Sequence, residues 1–183
     1  MLKLLSRRTC LKKYPLFPRC SPRINRFFFP ETIDGCILTV STKARAAHTK
    51  QLAIEICQLL DKLEIDSIIC LADTPCAWRA QDHDHKPVVR ALDYLAENGI
   101  SETFDGAIEV SLQELQKFIV HLYWLQSCCT ALPDFHLMDK GQSIVGHICK
   151  YGNLHLGIIS EDVANSIDGH LANTKLVVMT EKC

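Results

Sequence analysis

Residues 36–72 read CILTVSTKARAAHTKQLAIEICQLLDKLEIDSIICLA, and the two ends of this stretch decide the fold class. Cys36-Ile37-Leu38-Thr39-Val40 and Ser67-Ile68-Ile69-Cys70-Leu71-Ala72 are short apolar runs containing β-branched side chains, and each reads as a strand. Between them Leu52, Ile56, Leu59, Leu60 and Leu63 recur at helical spacing within 43–63. Strand, helix, strand is the unit of a right-handed crossover between parallel strands, and a continuous apolar run suits a strand covered on both faces.

The pattern continues in both directions. Pro87 suits a first helical turn, Val88, Ala91, Leu92 and Leu95 share a face, and Asn98-Gly99 is a left-handed stop. A strand at 107–110 is followed by Ser111-Leu112-Gln113-Glu114, a capping box that opens a third helix running to about Cys129, with His121, Trp124 and Cys128 on one stripe. Ile144, Ile148, Leu154, Leu156 and Ile158 alternate around Tyr151-Gly152-Asn153 and predict a hairpin. A three-residue loop there sets Ile148 opposite Leu156, whereas a two-residue loop sets it opposite His155 and mixes the faces, so an odd loop is expected. Ser160 caps a short helix to about Leu171, and Leu176-Val177-Val178-Met179 is a last strand. The expected fold is α/β, with α+β the alternative: one mixed sheet covered by helices, β-α-β-α-β-α and then hairpin, short helix and final strand.

Composition bounds the rest. With 183 residues, 48% apolar and 22% charged, the chain has the makeup of one ordinary domain and not of a disordered or fibrous protein. The longest stretch without Asp, Glu, Lys or Arg is 118–133, which contains His121, Gln126 and Ser127 and falls short of the roughly 20 apolar residues of a membrane span. Ten cysteines without C-x-x-C spacing or a secretory apolar region read as reduced, with Cys36, Cys57 and Cys70 as apolar filler.

The net charge of −1 conceals an asymmetry. Residues 1–30 carry Lys3, Arg7, Arg8, Lys12, Lys13, Arg19, Arg23 and Arg26 and no acid; removing those eight from 20 basic residues leaves 12 against 21 acids, so 31–183 carries −9. The sequence thus reads as a poorly ordered basic arm, 1–30, outside a single acidic α/β domain, 31–183. Pro15, Pro18, Pro22 and Pro30 confine any helix in the arm to its first fourteen residues. The expected location is cytoplasmic, or the mitochondrial matrix if the arm is a presequence. The expected partner is another protein with a basic surface; nucleic acid is disfavoured because the acidic body would be repelled.

Three segments have residues suited to chemistry. If the first strands are parallel, the loops leaving their carboxyl ends gather at one edge, where open α/β sheets place ligands. The first loop holds Ser41, Thr42, Lys43 and Arg45 with His48 one turn on, and basic groups at a helix start suit a phosphate or carboxylate, although the glycines of a P-loop are missing. The second, 73–86, is long and contains Cys76, Trp78, Arg79 and Asp82-His83-Asp84-His85, candidates for acid, base, nucleophile or metal ligand, with Trp78 a candidate ligand contact and Asp84 alternatively a helix cap. The third is the face shared by His147, Cys149 and His155, which could hold zinc or copper; no other cofactor is implied. No G-x-S-x-G, H-E-x-x-H, dinucleotide or Walker motif is present. The favoured expectation is a non-catalytic regulatory or protein-binding module; the alternative is a small metal- or anion-dependent enzyme or ligand-binding protein using 41–50 and 73–86.

Overall fold

A computed structural model describes residues 2–21, 26–129 and 132–180. In chain order the elements are β1 (Leu2–Leu5), α1 (Arg7–Lys13), β2 (Arg19–Ser21), β3 (Arg26–Phe28), β4 (Asp34–Val40), α2 (Arg45–Lys62), β5 (Ser67–Ala72), α3 (Lys86–Glu97), β6 (Ala107–Ser111), α4 (Leu112–Cys128), β7 (Phe135–Asp139), β8 (Ile144–Ile148), β9 (Leu154–Ile158), α5 (Glu161–Leu171) and β10 (Leu176–Val178). The chain is of the α/β class, with an eight-stranded sheet ordered β1-β6-β5-β7-β8-β9-β4-β10 and a separate β2-β3 pair.

The sheet is not mixed as expected: every pairing in it is antiparallel. β4 and β5 do run the same way, because an even number of antiparallel steps separates them, but β7, β8 and β9 lie between. The reason is β7, which the periodicity does not reveal: all five of its residues are buried, polar His136 and Asp139 included, so Phe135-His136-Leu137-Met138-Asp139 shows no alternation. Asp139 closes the β7–β8 turn by accepting from Ser143 N (2.7 Å) and Ile144 N (2.9 Å).

The β8–β9 hairpin keeps the expected parity and shifts the register by two. Ile148 faces Leu154 rather than Leu156, and His147 faces His155, because the turn runs from Cys149 to Asn153 and is closed by Cys149 N–H to Asn153 O. Five residues are still odd in number, so apolar and polar faces remain separate.

One face of the sheet packs under α2, α3 and α4; Leu38, Ile56, Ile68, Phe118, Leu122, Phe135 and Leu156 belong to this core. α4 lies between α2 and α3, which explains why it is apolar almost all round. At the start of α3 the cap residue is His85, not Asp84, whose carboxylate is fully exposed. No described helix is long and apolar enough to cross a membrane.

The opposite face overturns the expectation of an external arm. β1 pairs along its whole length with β6, Leu2 to Val110 through Leu5 to Ala107, and α1 then crosses this face. Cys10, Tyr14 and Phe17 are buried there against Ile69, Leu71, Ala107, Met138 and Val145. These three apolar side chains, one in α1 and two just beyond it, outweigh the surrounding charge, because an uncovered sheet face of this size would leave five apolar side chains in water. Arm cations are also used internally: Arg7 donates to the carbonyls of Ala72 (2.9 Å), Asp73 (2.9 Å) and Thr74 (3.3 Å), and Lys3 pairs with Glu109 at 3.3 Å. Arg23 lies outside the described residues. The nine described cysteines are free thiols, and burial pushes Cys10, Cys36 and Cys57 up to about 11.

Candidate functional site

The start of α2 follows directly from β4, and nothing in its sequence caps it. Ala44 is the N-cap residue and offers no side-chain acceptor, and the first turn has no acid, so the leading N–H groups and the positive end of the helix dipole meet solvent. Thr42, Lys43, Arg45, His48, Tyr123, Lys150 and Tyr151 line a pocket of about 430 Å³ at this end, without a described carboxylate in its wall. Ser41 is exposed and does not line it.

Each side chain is held for a stated reason. Arg45 Nε–H donates to Tyr123 Oη at 2.5 Å, and the guanidinium lies 5.4 Å from the Tyr123 ring and 5.5 Å from Trp124. The hydroxyl accepts that bond and keeps its own hydrogen for a further acceptor. His48 Nε2–H donates to the Gly152 carbonyl at 2.9 Å, pinning the β8–β9 turn to α2. Gly152 is required there: its φ is +90°, and a Cβ would come within 2.7 Å of Tyr123 Cε2. The clamp brings Lys150 and Tyr151 to the pocket, a contribution that no spacing rule discloses because it depends on a turn 104 residues from His48.

The two loops expected to meet at one edge both leave from it, with three strands between them, which is about 19 Å at ordinary strand spacing. The end of α4 bridges them: Arg45 lies over Trp124, and Trp124 meets His85 edge-on at 5.6 Å. Within 82–85, Asp82, Asp84 and His85 are exposed, and His83 Nδ1 accepts from His85 N at 2.9 Å. Cys76 is not an activated nucleophile, since burial raises its thiol pKa. Trp78 is a core residue and not a ligand contact: it is buried, donates from Nε1 to Gly106 O at 2.8 Å and packs on Phe135 at 4.2 Å.

The expected metal set is also rearranged. His147 and His155 share a face as expected, but Cys149 lies in the turn beyond β8. Their partner is His136 of β7, paired with His147, so three imidazoles occupy one row across neighbouring strands. His147 and His155 stack at 4.5 Å, and His136 meets His147 edge-on at 5.5 Å. Among the described residues no three His, Cys, Asp or Glu side chains are disposed to hold a metal ion. Burial first, and then the neighbouring His136, lowers the His147 pKa to about 4; burial also lowers that of His155. Burial alone would raise the Asp73 carboxyl, but His136, 3.9 Å away, and Thr74 hold it below its ordinary value. No family model, curated protein or solved structure matches the chain.

Proposed function

We propose that this protein is a non-catalytic binding module whose effector is a small organic anion, a phosphate or carboxylate, seated at the start of α2. The observation that carries this reading is the convergence of Lys43, Arg45 and Lys150 on an uncapped 18-residue helix, in a pocket with no described acid in its wall. Arg45 supplies a planar fork suited to two oxygens, while Lys43 and Lys150 act as mobile point charges. The Tyr123 hydroxyl offers a further donor, and His48 positions the turn that brings Lys150 in. The acid–base alternative at 82–85 has less support, since those groups are mostly exposed and His83 is engaged with backbone.

Thermal shift and calorimetric titration with pyrophosphate and with citrate test the reading. Saturable binding that stabilises the fold is expected, at roughly 2.7 kcal/mol when ligand reaches about 100 times its dissociation constant. Arg45→Ala combined with Lys150→Ala should abolish it, and added salt should weaken it. Absence of binding by the unaltered protein at millimolar ligand and low salt, or equal binding by the double variant, overturns the proposal.

A further inference from the structure

α1 covers only half of the open sheet face. On the other half a groove of about 510 Å³ runs between the end of β3 and strand β10, within the size range of small-molecule sites. Its floor includes Gly35 and Gly157, directly paired on β4 and β9; Thr32 and Val145 close over Gly157, while at Gly35 no side chain covers the backbone. Its walls are rings: Phe29 meets His136 edge-on at 5.6 Å, and the His147–His155 stack continues the row. No Lys, Arg, Asp or Glu is among the described residues lining it.

One polar atom in this row lacks a partner. Nε2 of His155 is buried without a hydrogen bond, whereas Nε2 of His136 faces Asp73 Oδ2 at 3.9 Å. A buried polar atom without a partner is costly, and beside this groove it calls for an occupant that can hydrogen-bond to it. An anion finds no fixed positive charge in this lining, and a saturated chain would leave the His155 nitrogen unsatisfied. A flat ring fits the open backbone at Gly35 and can stack on the imidazoles.

We infer that the groove is a second ligand site, independent of the cationic pocket, that takes an uncharged fused heteroaromatic ring of purine or alloxazine type, hydrogen-bonded by His155 and stacked beside His147 and His136. Its recognition would rest on matching donors and acceptors, not on charge, so added salt should leave affinity unchanged.

The full chain is titrated with lumichrome, followed by its fluorescence, and with adenine, followed by the imidazole signals in histidine-selective NMR. Saturable binding of at least one ring, with shifts at His136 and His155, is expected. His155→Phe keeps a ring in the stack and removes the nitrogen, and should weaken binding at least tenfold; because His155 is only half-buried, this variant tests the site even if His136→Ala fails to fold. Arg45→Ala should leave ring binding intact, which separates this proposal from the one for the anion pocket. No saturable binding of either ring at millimolar concentration, or undiminished binding by His155→Phe, overturns it.

Discussion

The pocket at the start of α2 and the groove on the open sheet face achieve polarity in opposite ways. The first collects exposed cations on long stems around a helix end, and only Gly152 and the Tyr123–Trp124 shelf restrict their geometry. The second places short, rigid imidazoles in register on three strands and leaves His155 Nε2 buried without a partner. An exposed ion pair gains little in water and less in salt, whereas an unpartnered buried nitrogen carries a penalty that only a matching group relieves. One region is therefore built for charge and the other for shape and hydrogen-bond pattern.

The largest expected effect separates the two through the fold itself. Phe17 is 1% exposed and packs over Ile69, Leu71, Met138 and Val145, next to the groove and across the sheet from α2. Phe17→Ala should cost about 3–5 kcal/mol, read as a lower urea midpoint. Removal of residues 1–30 should be more severe, because it also strips β1 from β6. Where Phe17→Ala remains folded, pyrophosphate affinity should be unchanged; a parallel loss would show that the two regions are coupled.

Acid should act on the groove before the pocket. His147 has its pKa lowered to about 4 in the folded chain, so the unfolded chain binds the proton more readily and stability falls as pH drops from about 6.5 to about 4. His121, half-buried beside Tyr94 and near Lys117, is lowered to about 4 by that burial first and by Lys117 second, and contributes in the same window. Around His147 the charged or titratable neighbours are His136 and Asp134 on the β7 side, His155 on β9, and Asp73 beyond β5. Urea unfolding at pH 7 and near pH 5 should differ by on the order of 2 kcal/mol, and His147→Phe should remove about half of that difference, His121 supplying the rest.

The legibility of these regions in the sequence differs for physical reasons. Strands β4 and β5 and helices α2, α3 and α4 are readable because their burial is one-sided or continuous and leaves a period. β7 leaves none, so His136, the end member of the imidazole row, could not be placed from spacing, although His147 and His155 could. In and just beyond α1 the charges of Arg7, Arg8, Lys12 and Lys13 mask Cys10, Tyr14 and Phe17. Charge was a poor guide because Arg7 and Lys3 find their partners inside the same chain. At the anion pocket, Lys43, Arg45 and His48 were readable as a basic helix start, while Lys150 and Tyr123 arrive by tertiary packing alone.

A smaller effect probes the clamp of the cationic pocket. Gly152→Ala places a side chain at a φ of +90° and 2.7 Å from Tyr123 Cε2, so the turn must move. The cost to stability should be about 1–3 kcal/mol. Lys150 would retreat with the turn, and pyrophosphate affinity should fall while lumichrome binding does not; the reverse pattern would mean that the hairpin turn serves the groove.

The smallest effect is the most specific. Tyr123→Phe removes the hydroxyl that accepts from Arg45 Nε at 2.5 Å but retains both rings beneath the guanidinium. If the rings alone hold Arg45, the loss should stay within about 1 kcal/mol, roughly fivefold in pyrophosphate affinity, because a single hydrogen bond contributes little net energy. If the hydroxyl also donates to the bound anion, the loss should exceed tenfold and be greater for pyrophosphate than for the less densely charged citrate. Calorimetric titration of the two ligands distinguishes these outcomes, and in either case ring binding in the groove should be unchanged, since Tyr123 packs against the other face of the sheet.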